Sequence, residues 1–189
     1  MKILLVDTTT KDLVVALIDN ERIVDCTKAK LGTRHSENLC LAVDELLKTA
    51  GITLGDIDAY ACSIGPGSFT GIRIGVSTVK GYNFAHPKKL LALNTLQAIA
   101  MSNNCGAKGS AIIDAGNGYY FADYLNNIEP CLVSYDDSRA QTAGQAANAT
   151  DYFDGLVTLA KQKYQACHFD DMLEPLYIRK SQAEELKKC

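Results

Sequence analysis

Gly65-Pro66-Gly67-Ser68-Phe69-Thr70-Gly71-Ile72-Arg73-Ile74-Gly75 is where one periodicity gives way to another. Upstream, Ile57 to Ile64 (IDAYACSI) is a mostly apolar run of strand length, as expected of a strand buried on both faces. Downstream, residues 68–85 wind as a helix, with Ser68 placed to cap its first turn. Gly65, Pro66 and Gly67 let the chain turn sharply in between, because glycine reaches positive φ at low cost and proline pre-sets its own φ. A strand, glycine loop and helix in this order can cradle an anion, since free N–H groups and the positive end of the helix dipole point out of the loop. It is better read as a plain tight turn, for the run has neither the lysine of a P-loop nor the spacing of a dinucleotide fingerprint.

The helix itself says more. At about 100° per residue, Thr78, Gly71, Tyr82, Gly75, Val79, Ile72 and Val76 fall on one arc of roughly 160°, and Arg73, Ser77 and Lys80 hold a narrow polar side. Covering one sheet needs a stripe of only about 100°, so a second contact is expected, with Gly71 and Gly75 as a notch where another helix can approach.

Outward from this centre the elements follow in a regular order. Lys2 to Val6 and Leu13 to Ile18 predict a hairpin around Asp7-Thr8-Thr9-Thr10, and Arg22 to Lys28 alternates as a half-exposed third strand. Thr33-Arg34-His35-Ser36 starts a helix whose Leu39, Val43, Leu46, Leu47 and Ala50 share a face, ending near Gly51. After the strand and helix already described come a short strand, Leu90 to Leu93, and a helix from Thr95 to about Asn103. The fold class is α/β, and the order β-β-β-α-β-α-β-α is that of the ribonuclease-H-like subdomain found in nucleases and actin-like (ASKHA) ATPases. A metal-dependent nuclease of that type needs several gathered carboxylates, one at the end of the fourth strand. That strand ends at Ile64-Gly65, which leaves Asp7 unaccompanied and argues against nuclease chemistry.

Residues 103–109 form a polar, glycine-containing break. Ser110 to Asp114 then begins a second, shortened copy, with Gly118 to Leu125 and Pro130 to Tyr135 as a meander. Two units are therefore expected, 1–103 and 104–189. The second contains a polar, alanine-rich stretch over 136–150, a helical pattern from Leu156 to Ala166 and a charged, helical or frayed tail.

The chain has 189 residues, a formal charge of −3 and seven cysteines without a C-x-x-C pair. These totals fit a reduced, globular protein and argue against a lone grip on a polyphosphate backbone. The opening MKILLVD has an apolar run of only four residues, too short for a signal segment, so a cytoplasmic location is expected. His35, His86 and His168 stand far apart, each read as exposed or capping, and no metal or other cofactor is expected. Asp7-Thr8-Thr9 and Asp114-Ala115-Gly116 sit where actin-like ATPases place phosphate loops; they are either vestiges of such loops or strand-ending turns.

Asp7-Thr8-Thr9, the GPGSFTGIRIG string and Leu176-Tyr177-Ile178-Arg179 together resemble the TsaB (YeaZ) family, of the TsaD-like, actin-related fold. The resemblance is strong over 1–103 and thins beyond 110, where the family usually has Asp-Ala-Arg in place of Asp114-Ala115-Gly116 and a longer second half. It implies a role in making threonylcarbamoyladenosine beside the anticodon of tRNA, as a non-catalytic scaffold. In that scheme a TsaD-like protein performs the transfer, a TsaE-like ATPase joins the complex, and tRNA is met only through it. Contact with the TsaD-like protein would run through the helices at 36–50 and 68–85. Leu39, Val43, Leu46, Gly71, Ile72, Gly75, Val76 and Val79 are the expected interface, and a homodimer is possible when the partner is absent. The alternative is an actin-like small-molecule kinase or ATPase using Asp7.

Overall fold

A computed structural model describes residues 1–20, 22–30, 34–105 and 109–178. Its first sheet has five strands in the order β3-β2-β1-β4-β5: β1 (Lys2–Asp7), β2 (Asp12–Asp19), β3 (Arg22–Lys30), β4 (Ala59–Gly65) and β5 (Lys89–Asn94). The hairpin pairs β1 and β2 antiparallel, Lys2 opposite Asp19 and Asp7 opposite Val14. Strands β1, β4 and β5 run parallel, which requires the crossovers that the helices supply.

Because successive side chains point to opposite faces, the apolar runs of β1, β2 and β4 serve two cores at once. Ile3, Leu5, Val14, Ala16, Ala59 and Ala61 face one side. Leu4, Val6, Leu13, Val15, Tyr60 and Cys62 face the other, under α1 (His35–Ala50) and α2 (Phe69–Ala85). Fully burying a large aliphatic side chain is worth about 1.5–3 kcal/mol, so this double use makes the central strands the main store of stability.

The second sheet, in the order β8-β7-β6-β9, is built from β6 (Ser110–Asp114), β7 (Tyr119–Asp123), β8 (Ile128–Val133) and the two-residue β9 (Gly144–Gln145). Helices α3 (Thr95–Met101) and α4 (Phe153–Gln165) lie between the sheets. The first core accordingly takes Ala111, Ile113 and Ala122 from the second sheet and Leu96, Ile99, Leu156 and Ala160 from the helices. The opposite face of the second sheet packs Ile112, Phe121 and Val133 against Ala140.

The expected element order of the first half is the observed one, in an α/β, ribonuclease-H-like and actin-like arrangement. Ser68 caps α2 as expected, accepting a hydrogen bond from Gly71 N–H. Elsewhere the structure revises details. Helix α3 stops at Met101, with Ser102 extended, and α4 begins at Phe153, not Leu156. The stretch 136–150 holds a short 3-10 turn, Ser138–Gln141, and β9. Residues 169–178 form no helix. They pass from β5 to the end of β4, with Asp170 N–H donating to Leu90 O, Leu176 N–H to Ile64 O and Leu173 fully buried. Thr33, Gly106 to Lys108, Arg179 and the rest of the tail lie outside the described residues.

Candidate functional site

The turn after β1 is the polar centre of the molecule. Asp7 has no solvent exposure. Its Oδ1 accepts from Thr9 N–H and Thr9 Oγ1, both at 2.8 Å, and its Oδ2 from Ser63 Oγ at 2.5 Å and Tyr152 OH at 3.2 Å. Four donors fill the roughly four lone-pair positions of an ionised carboxylate. Burial pushes the Asp7 carboxyl above its usual range, with hydrogen bonds from Ser63, Thr9 and Tyr152 acting against it. The Tyr152 phenol is raised well above its ordinary value by burial and by Asp7, and the Cys62 thiol is raised for the same two reasons.

The glycine loop closes over this turn. Ser68 N–H donates to Thr9 O at 2.7 Å, and Thr8 Oγ1 donates to Gly71 O at 2.7 Å. A Cβ on Gly71 would stand 1.9 Å from Thr8 O, one on Gly75 2.5 Å from Thr8 Oγ1, and one on Gly67 2.5 Å from Thr9 O. The notch expected to admit another helix is therefore filled by the chain's own β1–β2 turn. Gly65 and Pro66 are buried, and a Cβ on Gly65 would meet the Ile72 side chain at 2.8 Å. The loop hands its backbone to Thr9 and the helix it launches, which is the tight-turn alternative.

The eight residues expected at a partner interface are core residues of this chain. Leu39, Val43, Leu46, Ile72, Val76 and Val79 are at most 3% exposed, and Gly71 and Gly75 are buried. Their side chains are spent on the five-stranded sheet, so they correct the expectation: a surface on these helices has to use other positions. The outward side of α1 and α2 carries Cys40, Leu41 and Phe84, with Ile74 and Tyr82 partly buried. Leu41 is 62% exposed and Phe84 91%.

The remaining candidates separate. Asp114, exposed at the end of β6, accepts from Gly116 N–H and from Tyr135 OH, both partners lying beyond it in its own half of the chain. His35 is buried, not exposed, with Nε2 2.8 Å from Thr10 O; His86 and His168 are exposed. Among the described residues no three His, Cys, Asp or Glu side chains gather as metal ligands. Arg73 lies on the narrow polar side of α2. It stacks over the Phe69 ring at 3.9 Å and donates from Nε to Tyr177 OH at 2.9 Å, pinning residues 176–178 to α2.

Residues 29–169 match the family described as TsaD: tRNA N6-adenosine threonylcarbamoyltransferase. The chain belongs to this family. It is 34% identical over 128 residues to the tRNA threonylcarbamoyladenosine biosynthesis protein TsaB of Escherichia coli K12, covering 66% of this chain and 55% of that protein. The Haemophilus influenzae protein of the same name is 30% identical over 102 residues, 54% of this chain and 43% of its own length. The chain thus spans about half the length of the curated relatives it matches. In fold it is similar to YeaZ from Pseudomonas aeruginosa, with a TM-score of 0.70 at 22% identity, covering 93% of this chain and 99% of that one.

Sequence reasoning found Asp7, Thr8, Thr9 and the loop, and missed Ser63 and Tyr152. Ser63 could have been suspected as the one serine in an apolar strand. Tyr152 lies in a stretch without clear periodicity, and nothing local pairs it with a residue 145 positions away.

Proposed function

We propose that this chain acts in the formation of threonylcarbamoyladenosine on tRNA as a non-catalytic subunit that pairs with a TsaD-like protein. The observation that carries the reading is the filled Asp7 turn. In an actin-like ATPase this position would have to meet phosphate or its cation, and here all four acceptor positions are taken by Ser63, Thr9 and Tyr152 while the glycine loop bonds back to Thr9. The names of the curated relatives supply the pathway. The outward side of α1 and α2, with Leu41 and Phe84, supplies the contact, since exposed apolar side chains favour burial against another protein. A TsaE-like ATPase and the tRNA belong to the same assembly, and the same helix face pairs two copies of the chain when no partner is present.

Size-exclusion chromatography of the purified chain with a TsaD-like protein tests this. A single co-eluting peak is expected, and two separate peaks at micromolar concentration would overturn the pairing. Calorimetry with Mg-ATP tests the rest: saturable binding with turnover lost in Asp7→Ala would restore the kinase or ATPase reading.

A further inference from the structure

The turn after β1 does more than fill a phosphate position: three helices converge on residues 7–12. From α2 and its cap come Ser68 N–H donating to Thr9 O, Gly71 O accepting from Thr8 Oγ1 and the close approach of Gly71 and Gly75 to Thr8. From α1 comes His35 Nε2, 2.8 Å from Thr10 O. On the far side, the segment entering α4 contributes three ties. Ala149 N–H donates to Thr10 Oγ1 at 2.8 Å, Thr150 Oγ1 donates to Asp12 Oδ2 at 2.5 Å, and Tyr152 OH meets both Asp7 and Thr9.

Asp7, Thr8, Thr9, Asp12, Ala149 and Tyr152 are all at most 1% exposed, so most of these bonds are made away from water and these residues would be costly to leave unpaired. Segment 147–151 is itself held rigid, with Asp151 Oδ2 accepting from Ala147 and Asn148 N–H. Helix α4 is fixed in turn against α3, because Gly155 leaves no room for a Cβ beside Ala98 O and Asp154 accepts from Ser102 Oγ and Asn103 N–H. The turn therefore ties α2 to the segment that enters α4, beside the apolar core that the two halves share.

We propose that residues 149–152 and the turn 7–12 form a clasp that shuts the junction between the two sheets and couples the position of α2 to that of α4. A displacement of the first turn of α2 moves Thr8 and Thr9, and with them the acceptors that hold Tyr152. The helix face outside and the second sheet inside then form one mechanical unit, and the clasp is a coupling device where an actin-like enzyme would keep an opening.

A double-mutant cycle on the full chain tests this, with Tyr152→Phe on the α4 side and Thr8→Val on the α2 side; the two hydroxyls share no bond. Coupling through the turn makes the double variant's unfolding constant rise less than the product of the single rises, by about threefold or more. Agreement with the product within about threefold overturns the clasp. Thr150→Val replaces Tyr152→Phe in the same cycle should the latter fail to fold. Hydrogen exchange gives a second readout: Tyr152→Phe is expected to speed exchange about tenfold both at 153–157 and at 71–75. A rise confined to 153–157 would show a local contact and overturn the proposal.

Discussion

Gly71 and Asp7 set opposite constraints on the same turn. A methyl group on Gly71 would stand 1.9 Å from the Thr8 carbonyl oxygen, and neither backbone can yield without disturbing β1 or α2. Gly71→Ala is therefore expected to destabilise the protein by about 3 kcal/mol or more, measured as a lowered urea midpoint. Gly75→Leu likewise damages the fold through Thr8 and Cys62, so it cannot report on a partner surface. Asp7 makes a pH-dependent contribution. Its folded pKa is raised above the ordinary 3.8, chiefly by burial, so the folded state binds a proton that the unfolded state has lost. Stability from this group is fully present below the unfolded value and is lost as pH rises through the folded one. Urea midpoints across that range should fall with pH in the native protein, relative to Asp7→Asn. Parallel curves for the two proteins would contradict the assignment.

At the scale of elements, α1 and α2 each have two faces with different duties. The inner faces, with Leu39, Val43, Leu46, Ile72, Val76 and Val79, hold the sheet, while the outer side exposes Leu41 and Phe84. Phe84 is almost fully exposed, so Phe84→Ser should change folding stability by no more than about 0.5 kcal/mol. Under the proposed pairing, the double variant Leu41→Ser with Phe84→Ser weakens association with a TsaD-like protein about tenfold or more, read by titration calorimetry. Unchanged affinity, with the fold intact by circular dichroism, would move the contact elsewhere. The carboxyl-terminal segment adds a third duty to α2. Arg73 stacks over Phe69 and donates to the Tyr177 hydroxyl, so the polar side of the helix anchors residues 176–178 and is not free for solvent alone.

Across the whole molecule, one apolar cluster joins the two sheets through α3 and α4. A domain boundary drawn at 103/104 from sequence runs through a shared core, because α4 from the second half packs on α3, β5 and β1 of the first. Thermal unfolding is accordingly expected as one transition, coincident by near-ultraviolet and far-ultraviolet circular dichroism. Two separated transitions would show that the halves are independently stable. Among the described residues no helix is long and apolar enough to cross a membrane.

The local sequence determined the strand and helix order of the first half, the cap at Ser68 and the tight turn at Gly65 to Gly67. Hydrophobic period and turn chemistry act over a few residues, so they are legible without a fold. The apolar arc of α2 was legible too, yet its occupant was not. Small residues at Gly71 and Gly75 say that something comes close, and only the tertiary structure shows that it is Thr8 of the same chain. The partners of Asp7 were hidden for the same reason, since Ser63 and Tyr152 are 56 and 145 residues away in the chain. Their meeting is fixed by how the parallel strands and the two inner helices stack. That stacking also turned the expected interface side chains inward, because the sheet needed their apolar surface before any partner could use it.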